Sequence, residues 1–413
     1  MSNVYILGSG MTHFGKHPEK SCGDLAREAA TLALDDAGIG VEDVDLAFYA
    51  NTAQATMEGQ MGIKGQHALF PMGLRGAPIF NIENACAGSS AALYLAYNQI
   101  AAGQADVALV VGAEKLNTPD RDKKFATFSQ PQDYAAAKAF VDTWWDRVQD
   151  IAPPPGVEID EGMRSPFMDI YAINARRHMK RYGSTWEQLA AASSKNHAHS
   201  QKNPLAQYRN PVSVDEVLSA RVISWPLTLP MCAPISDGGS AAVLVSERAL
   251  TRFKAREPVR IAGMASRSGT LRDIDDVENS ALRLSGQIAM KQAGITPADI
   301  DVMEVHDASA FSEFTHLEAV GIADFGQAGA FIERGDASFG GAVPVNLSGG
   351  LQSKGHPIAA TGLGQIHELT RQLRGEVEDR VVNGAKYALA SNGGGYMDVE
   401  DAIAVITVLE KTA

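Results

Sequence analysis

The sequence predicts an α/β fold built as two related halves with an inserted region. Short apolar runs of strand length alternate with runs of helical period. Two distant segments repeat each other, and the stretch between about 115 and 215 breaks the alternation. The repeat pairs Ala33-Leu-Asp-Asp-Ala-Gly-Ile-Gly-Val-Glu-Asp-Val-Asp-Leu46 with Ala289-Met-Lys-Gln-Ala-Gly-Ile-Thr-Pro-Ala-Asp-Ile-Asp-Val302. Each reads as the end of an amphipathic helix, a glycine C-cap (Gly38, Gly294), a short loop and a strand. The strand starts match as well, Val4-Tyr-Ile-Leu-Gly8 with Val259-Arg-Ile-Ala-Gly263. A period of half the chain marks a duplication and not a solenoid. We therefore expect an N-terminal half over residues 1–250, carrying the insertion, and a C-terminal half over 257–413.

The elements follow in order. After the opening strand and first helix, Ala91–Ala102 is a small-residue apolar run of helical character. Asp106–Gly112 and Ala241–Ser246 are strands of the first half; Tyr387–Ser391 and Ala402–Val408 are strands of the second. The insertion is rich in charge and aromatics (Phe125, Phe128, Trp144, Trp145) and contains Pro153-Pro-Pro-Gly156. Helices are expected over Asp169–Tyr182 and Thr185–Lys195. Long insertions of this kind often form binding elements or lids; the Trp pair fits a substrate pocket, a subunit interface or ordinary packing.

Composition narrows the classes. A hydrophobic share of 45% and a charged share of 21% suit a soluble globular body, and 413 residues suffice for a large α/β core. A net charge of −13 argues against nucleic acid as a partner. The cluster Arg121, Lys123, Lys124 reads as a solvated loop ahead of a phosphate site. No apolar stretch approaches the roughly 18 residues that would span a bilayer. Met1 leads straight into a strand without a signal-peptide pattern, so a cytoplasmic location is expected. Three widely spaced cysteines (Cys22, Cys86, Cys232) predict neither a disulfide framework nor a zinc site.

Three motifs carry chemistry. Cys86 lies in Asn81-Ile-Glu-Asn-Ala-Cys-Ala-Gly-Ser-Ser90, at or just before a helix N-terminus. There the free backbone N–H groups favour a thiolate, and small neighbours leave the sulfur approachable. His356 follows a glycine-rich loop, Asn346-Leu-Ser-Gly-Gly-Leu-Gln-Ser-Lys-Gly355, and precedes Pro357; a neutral imidazole there can take a thiol proton. His306 ends a strand in Val302-Met-Glu-Val-His-Asp-Ala, a common place for catalysis. Ser391-Asn-Gly-Gly-Gly-Tyr396 lets backbone N–H groups approach a ligand, as an oxyanion hole requires. His197 and His199, spaced i, i+2 at a helix end, point apart, so no metal site is expected.

In order and spacing, Asn84-Ala-Cys86-Ala-Gly-Ser-Ser90, Asp237-Gly-Gly-Ser-Ala-Ala242, His306-Asp-Ala308, Asn346 through Gly355-His356-Pro357 to Gly362, and Gly393-Gly-Gly395 resemble the thiolase superfamily. The resemblance covers nearly the whole chain. Within the superfamily it is strongest to sterol-carrier-protein-type and archaeal thiolases, where His-Asp replaces Asn-Glu-Ala-Phe; Lys195–Pro204 agrees. It implies a five-layered αβαβα body in which Cys86 attacks a 3-oxoacyl-CoA and His356 accepts its proton. Coenzyme A is then a substrate, and no cofactor is bound permanently. His356 with His306 would form one oxyanion hole, and the Cys86 and Gly394 N–H groups the other. Ser391, Asn392 and Asn346 complete the substrate site. A homodimer core is implied, together with a separately encoded zinc-ribbon/OB-fold partner. Typical thiolases carry a second cysteine where this chain has Ser391, and serine is a poor base near neutral pH; His306 is the candidate replacement. That departure keeps open acyl transfer to a non-CoA carbon acceptor, a retro-aldolase subunit, or a CoA-ester-binding scaffold. The branch also admits bulky or aromatic acyl groups, such as those of benzoylsuccinyl-CoA, as well as steroid side chains or plain acetoacetyl-CoA.

Overall fold

The apolar runs pair into one nine-stranded sheet whose order carries the duplication. The computed structural model describes residues 2–412 except 121, 124, 125, 128–133, 160–165 and 254–256. Arg121 and Lys124 of the basic cluster, with Phe125 and Phe128, lie outside the described residues. The strands are β1 (Val4–Met11), β2 (Leu46–Ala50), β3 (Ile79–Ile82), β4 (Val107–Glu114), β5 (Gly238–Ser246), β6 (Val259–Ser268), β7 (Val302–Val305), β8 (Tyr387–Gly394) and β9 (Ile403–Lys411). They run β3-β2-β4-β5-β1-β6-β9-β8-β7 across the sheet. Outward from the centre, β1-β5-β4-β2 on one side matches β6-β9-β8-β7 on the other: first strand, last, penultimate, second. The two sides join through a short antiparallel seam, Tyr5 opposite Arg260 and Ile6 opposite Val259.

Helices cover both faces. The principal ones are α1 (Cys22–Ala37), α2 (Gly88–Ala101), α3 (Tyr134–Trp144), α4 (Pro166–Tyr182), α5 (Trp186–Ser200), α6 (Ala281–Ala293), α7 (Ala310–Val320) and α8 (Thr361–Arg374). α1 packs on β1, β5 and β4, and α6 on β6 and β9; α2 and α8 lie together between the two halves of the sheet. Helix, sheet, helix pair, sheet, helix is the five-layered arrangement the resemblance implied. Strand side chains alternate between layers. Leu7, Leu109 and Val243 face α1, while Ile6, Val110 and Leu244 face the central helices with Leu93, Leu363 and Leu369. Burial on both faces explains why the strands read as continuous apolar runs.

The repeat extends to single atoms. A Cβ at Gly8 would stand 2.3 Å from the carbonyl oxygen of Ala33, and one at Gly263 2.0 Å from that of Ala289. Each glycine lets a helix backbone close directly on its strand, and Gly38 (φ 68°) and Gly294 (φ 72°) cap those helices in the left-handed conformation. Gly263→Ala is expected to cost about 1–3 kcal/mol, the usual range for overpacking, seen as a lower urea midpoint. An unchanged midpoint would contradict the close approach.

The insertion forms α3 to α5. α4 and α5 enter the same apolar core as α6 and α7 (Ala172, Ala175, Leu189 and Ala192 with Phe314 and Leu317), so they roof the C-terminal half. Trp144 and Trp145 pack within the insertion: Arg147 and Arg177 lie 4.5 and 4.9 Å from the Trp144 ring centre, and Arg176 4.2 Å from that of Trp145. Among the described residues no helix is long and apolar enough to cross a membrane.

Candidate active site

Two helix N-termini meet back to back. A Cβ at Gly362, in the first turn of α8, would lie 2.0 Å from Ser90 Oγ, in the first turn of α2. Glycine there lets the segment before α8, which carries His356, reach the segment before α2, which carries Cys86. Cys86 sits in a single 3-10 turn, Ala85–Ala87, immediately before Gly88. Ala85 holds φ at +46°, a region disfavoured for any residue with a Cβ; this strained corner presents the half-buried thiol. Burial, and after it the charge of Asp401, push the thiol up to about 12, against the pull of the Gly395 and Cys86 backbone N–H groups. The resting group is therefore a thiol, and the thiolate expected from helix position is overruled by desolvation and a carboxylate.

The base stands ready beside it. His356 Nε2 lies 3.3 Å from Cys86 Sγ, and Nδ1 lies 2.6 Å from Thr361 Oγ1. Thr361 donates its own hydroxyl proton to the Pro357 carbonyl at 3.2 Å, so it accepts from Nδ1–H. That network assigns the tautomer: Nε2 keeps a free lone pair facing the thiol. Burial, with His306 and Lys354 adding, holds His356 well below its ordinary pKa, so it stays neutral. The His356 N–H donates to Ser236 Oγ at 2.9 Å, and Gly355 at φ 114° turns the chain so that the ring enters the site.

The turn before His356, Gly350–Lys354, is wholly buried and held from beneath. Asp307 accepts from Leu351 N–H (2.7 Å), Gln352 Nε2 (3.0 Å) and Asn196 Nδ2 (2.9 Å). Lys354 Nζ reaches Glu304 at 3.1 Å. His197 and His199 diverge as their spacing implied: the first meets Ser353 Oγ, the second the Asn346 carbonyl and the Phe339 N–H.

His306 completes the centre. Its ring stands edge-on to His356 with centroids 5.3 Å apart, and the Cys86 sulfur and nearest nitrogens of both rings lie within 4.8 Å of one another. Burial lowers His306 to about 4, so it too is neutral, and its buried Nε2 has no partner among the described residues. Asn392 Nδ2 donates to the Cys86 carbonyl (3.1 Å) and Ser90 Oγ (2.9 Å). Gly394 packs under the cysteine turn, where a Cβ would be 2.4 Å from the Asn84 carbonyl oxygen and 2.6 Å from the Ala87 nitrogen. Two expected residues direct their side chains to other partners. Asn346 is buried, its Oδ1 accepting from Val305 N–H (2.8 Å) and its Nδ2 donating to Glu313 (3.3 Å). Ser391 is 0% exposed, and its Oγ lies 2.6 Å from His316 Nδ1 on α7.

A cavity of about 160 Å³ opens from His306 between α4, α7 and the turn joining β8 to β9. Tyr171, Phe311, His316, Tyr396 and Asp401 are among its walls, and Arg177 and Arg181 stand at its rim on Asp275 (2.5 and 3.0 Å). His316, Tyr171 and Asp401 were not singled out by the sequence reading. His316 resembles any polar residue on a helix, and Asp401 belongs to Met397-Asp-Val-Glu-Asp401, which has the look of a solvated turn.

The family model described as "Thiolase, N-terminal domain" matches residues 4–223, and that described as "Thiolase C-terminal domain-like" matches 263–409. The chain belongs to the thiolase family. Among its relatives is sterol carrier protein 2 of Gallus gallus, 35% identical over 95% of this chain and 69% of the relative. The acetyl-CoA acetyltransferase of Methanothermobacter thermautotrophicus is 34% identical over 96% and 97%. Benzoylsuccinyl-CoA thiolase subunit BbsB of Thauera aromatica is 34% identical over 90% and 89%. Among solved structures, the Ltp2-ChsH2(DUF35) aldolase superposes with TM-score 0.76 at 23% identity, covering 99% of this chain and 98% of that one. Human mitochondrial 3-ketoacyl-CoA thiolase superposes with TM-score 0.71 at 16%, covering 100% and 99%. Both share the thiolase fold.

Proposed function

We propose that the protein is a thiolase-type C-acyltransferase that cleaves or forms a 3-oxoacyl-CoA through an acyl group on Cys86, with free CoA as acceptor. The observation that carries this reading is the Cys86 thiol 3.3 Å from a histidine whose tautomer leaves Nε2 free. In cleavage the sulfur attacks the 3-oxo carbon while Nε2 takes the thiol proton. The bond between C2 and C3 breaks, and its electrons leave on the departing acyl-CoA as an enolate, which is protonated at C2. The acyl group stays on sulfur as a thioester until the thiol of CoA removes it. The enolate oxygen has a partner in His306 Nε2, otherwise unsatisfied, and the oxygen on the attacked carbon has the backbone N–H groups of Cys86 and the Gly394–Gly395 corner. A well-placed donor of this kind is worth about 3–4 kcal/mol.

The cavity supports an aromatic acyl group. Its roughly 160 Å³ compares with the ~150 Å³ cavity that holds benzene in another protein; its walls include His306, Tyr171, Phe311 and Tyr396 but neither Cys86 nor His356, so the ring would lie on the His306 side of the site. The benzoylsuccinyl-CoA relative points the same way. The assembly we propose is a homodimer formed along β3. Among the described residues this edge strand has no partner on its outer side, and it exposes Phe80 (48%), with Met61 (84%) and Ile63 (59%) exposed in the segment before it. The relative named as a subunit and the fold neighbour named with a DUF35 protein favour a small zinc-ribbon/OB-fold partner as well.

Intact mass spectrometry after mixing the natively purified protein with benzoyl-CoA, acetyl-CoA and 3-oxoacyl-CoAs tests the reading. Wild type should gain one acyl mass that Cys86→Ala lacks and that free CoA discharges; native spectra of the same sample give the subunit count. An adduct that CoA leaves in place would indicate a different acceptor. No adduct with any ester would refute acyl transfer and favour retro-aldol cleavage or a binding subunit.

A further inference from the structure

We propose that Asp401 is the catalytic acid–base group that moves the proton on the α-carbon, an inference that rests on the acyl-Cys86 reading. Thiolase chemistry needs such a group beside the sulfur, because C2 is bonded to the very carbon that sulfur attacks. Ser391 cannot serve: it is 0% exposed and its Oγ is engaged with His316. His356 is occupied with the thiol proton, and His306 faces the position of the enolate oxygen.

Asp401 remains. It lies in the turn between β8 and β9 and lines the same cavity as His306. Its carboxylate fills the space left by the missing side chain of Gly393, where a Cβ would lie 2.6 Å from Oδ2. Gly393 adjoins Gly394, which packs on the Cys86 turn, and Asp401 exerts the strongest charge influence on the Cys86 thiol. Its neighbour Glu400 is fully employed, taking N–H groups from Thr270 (2.8 Å) and Ala281 (2.7 Å) and Arg272 at 3.2 Å. Asp401 accepts no hydrogen bond from any described residue. A carboxylate placed in a protein wall without hydrogen-bond donors is costly, and here only the charge of Arg272 works against that cost. The charged and titratable groups around it are Cys86, Tyr171, Tyr396, Glu400 and Arg272, with His306 across the cavity. Burial first, then the charge of Glu400, raise Asp401 to about 7 against the pull of Arg272. Near neutral pH both of its protonation states are accessible, as acid–base work requires.

The step balances. In cleavage the Asp401 O–H bond breaks and a C2–H bond forms with the enolate electron pair, leaving a carboxylate. The incoming CoA gives up its thiol proton to solvent, His356 returns its proton to the leaving Cys86 sulfur, and the Asp401 carboxylate regains a proton from solvent. In condensation the carboxylate takes the C2 proton, and the C–H electrons pass to the enolate oxygen.

Asp401→Asn keeps the shape and removes the function. Two assays separate the steps: exchange of benzoyl-CoA and acetyl-CoA with isotopically labelled CoA, which uses Cys86 but no α-proton, and deuterium wash-in at the acetyl-CoA methyl in D2O. The variant should keep thioester exchange within about threefold and lose wash-in by roughly 10²–10⁴-fold, with partial recovery in Asp401→Glu. Wild-type wash-in should rise with pH through about 7 and lose that limb in Asp401→Asn. Wash-in unchanged in the variant overturns the inference. So does an equal fall in both assays, which marks a structural role, or a wild type that exchanges thioesters without wash-in. A wild type active in neither assay removes the acyl-Cys86 reading itself.

Discussion

Cys86→Ala is expected to lower acyl exchange between CoA esters by a factor on the order of 10⁶, the loss seen when the nucleophile of a nucleophile–base pair is deleted. His356→Ala should cost nearly as much, and the double variant little more than either, because the two residues act as one unit. The pH dependence separates their roles. The thiol sits at about 12 and His356 stays neutral to well below 6.5, so the wild-type pair keeps its thiol–imidazole form throughout pH 6–9. Exchange should be nearly flat over that range. Without His356 only the spontaneously ionised thiolate reacts, and its fraction grows tenfold per pH unit below the thiol pKa. His356→Ala should therefore regain rate with a slope of about one in log rate against pH. A flat profile in that variant would mean that another base activates the sulfur. A wild-type profile rising with unit slope would mean that the imidazole never takes the proton.

The three central residues were legible because each has a local signature. Cys86 stands among small residues before a helix, His306 at a strand end, and His356 between Gly355 and Pro357. The duplication was equally visible, since glycine caps and strand starts are written in contiguous sequence. What could not be read arises from contacts across the chain. The thiolate expectation weighed the local helix end, but burial and Asp401, which lies far along the sequence, set the thiol. Asp401 itself reads as surface, because the cavity it lines is closed by residues of the inserted α4, Tyr171 and Asn174 among them. The role of Ser391 could not be judged either, since His316, which binds its hydroxyl, is on a different element. Strand β3 was missed because Ile79-Phe-Asn-Ile82 is short and half-exposed, and it adds to the sheet only through parallel pairing with β2.

Lys354→Met is expected to cause the largest stability loss of any single change to the site's framework, about 3–5 kcal/mol, measured as a shift in the urea transition. Lys354 and Glu304 form an ion pair at 3.1 Å with side chains 1% and 0% exposed. Glu304 also accepts from the Ser348 N–H (3.0 Å) and hydroxyl (2.5 Å), so it would stay in place as an unpaired buried charge. Replacing both partners, Lys354→Met with Glu304→Gln, should recover a large part of the loss, because the cost comes from the stranded carboxylate more than from the missing attraction. The pair also ties the last residue of the buried turn to β7, the strand that ends just before His306. Loosening it frees the backbone that delivers His356 to Cys86 while leaving both residues intact. Thioester exchange should then fall in Lys354→Met even where the protein is fully folded, since a displacement of about 1 Å between reacting groups can cost a hundredfold in rate. Full activity in a folded Lys354→Met protein would show that the turn holds its geometry through Asp307 alone.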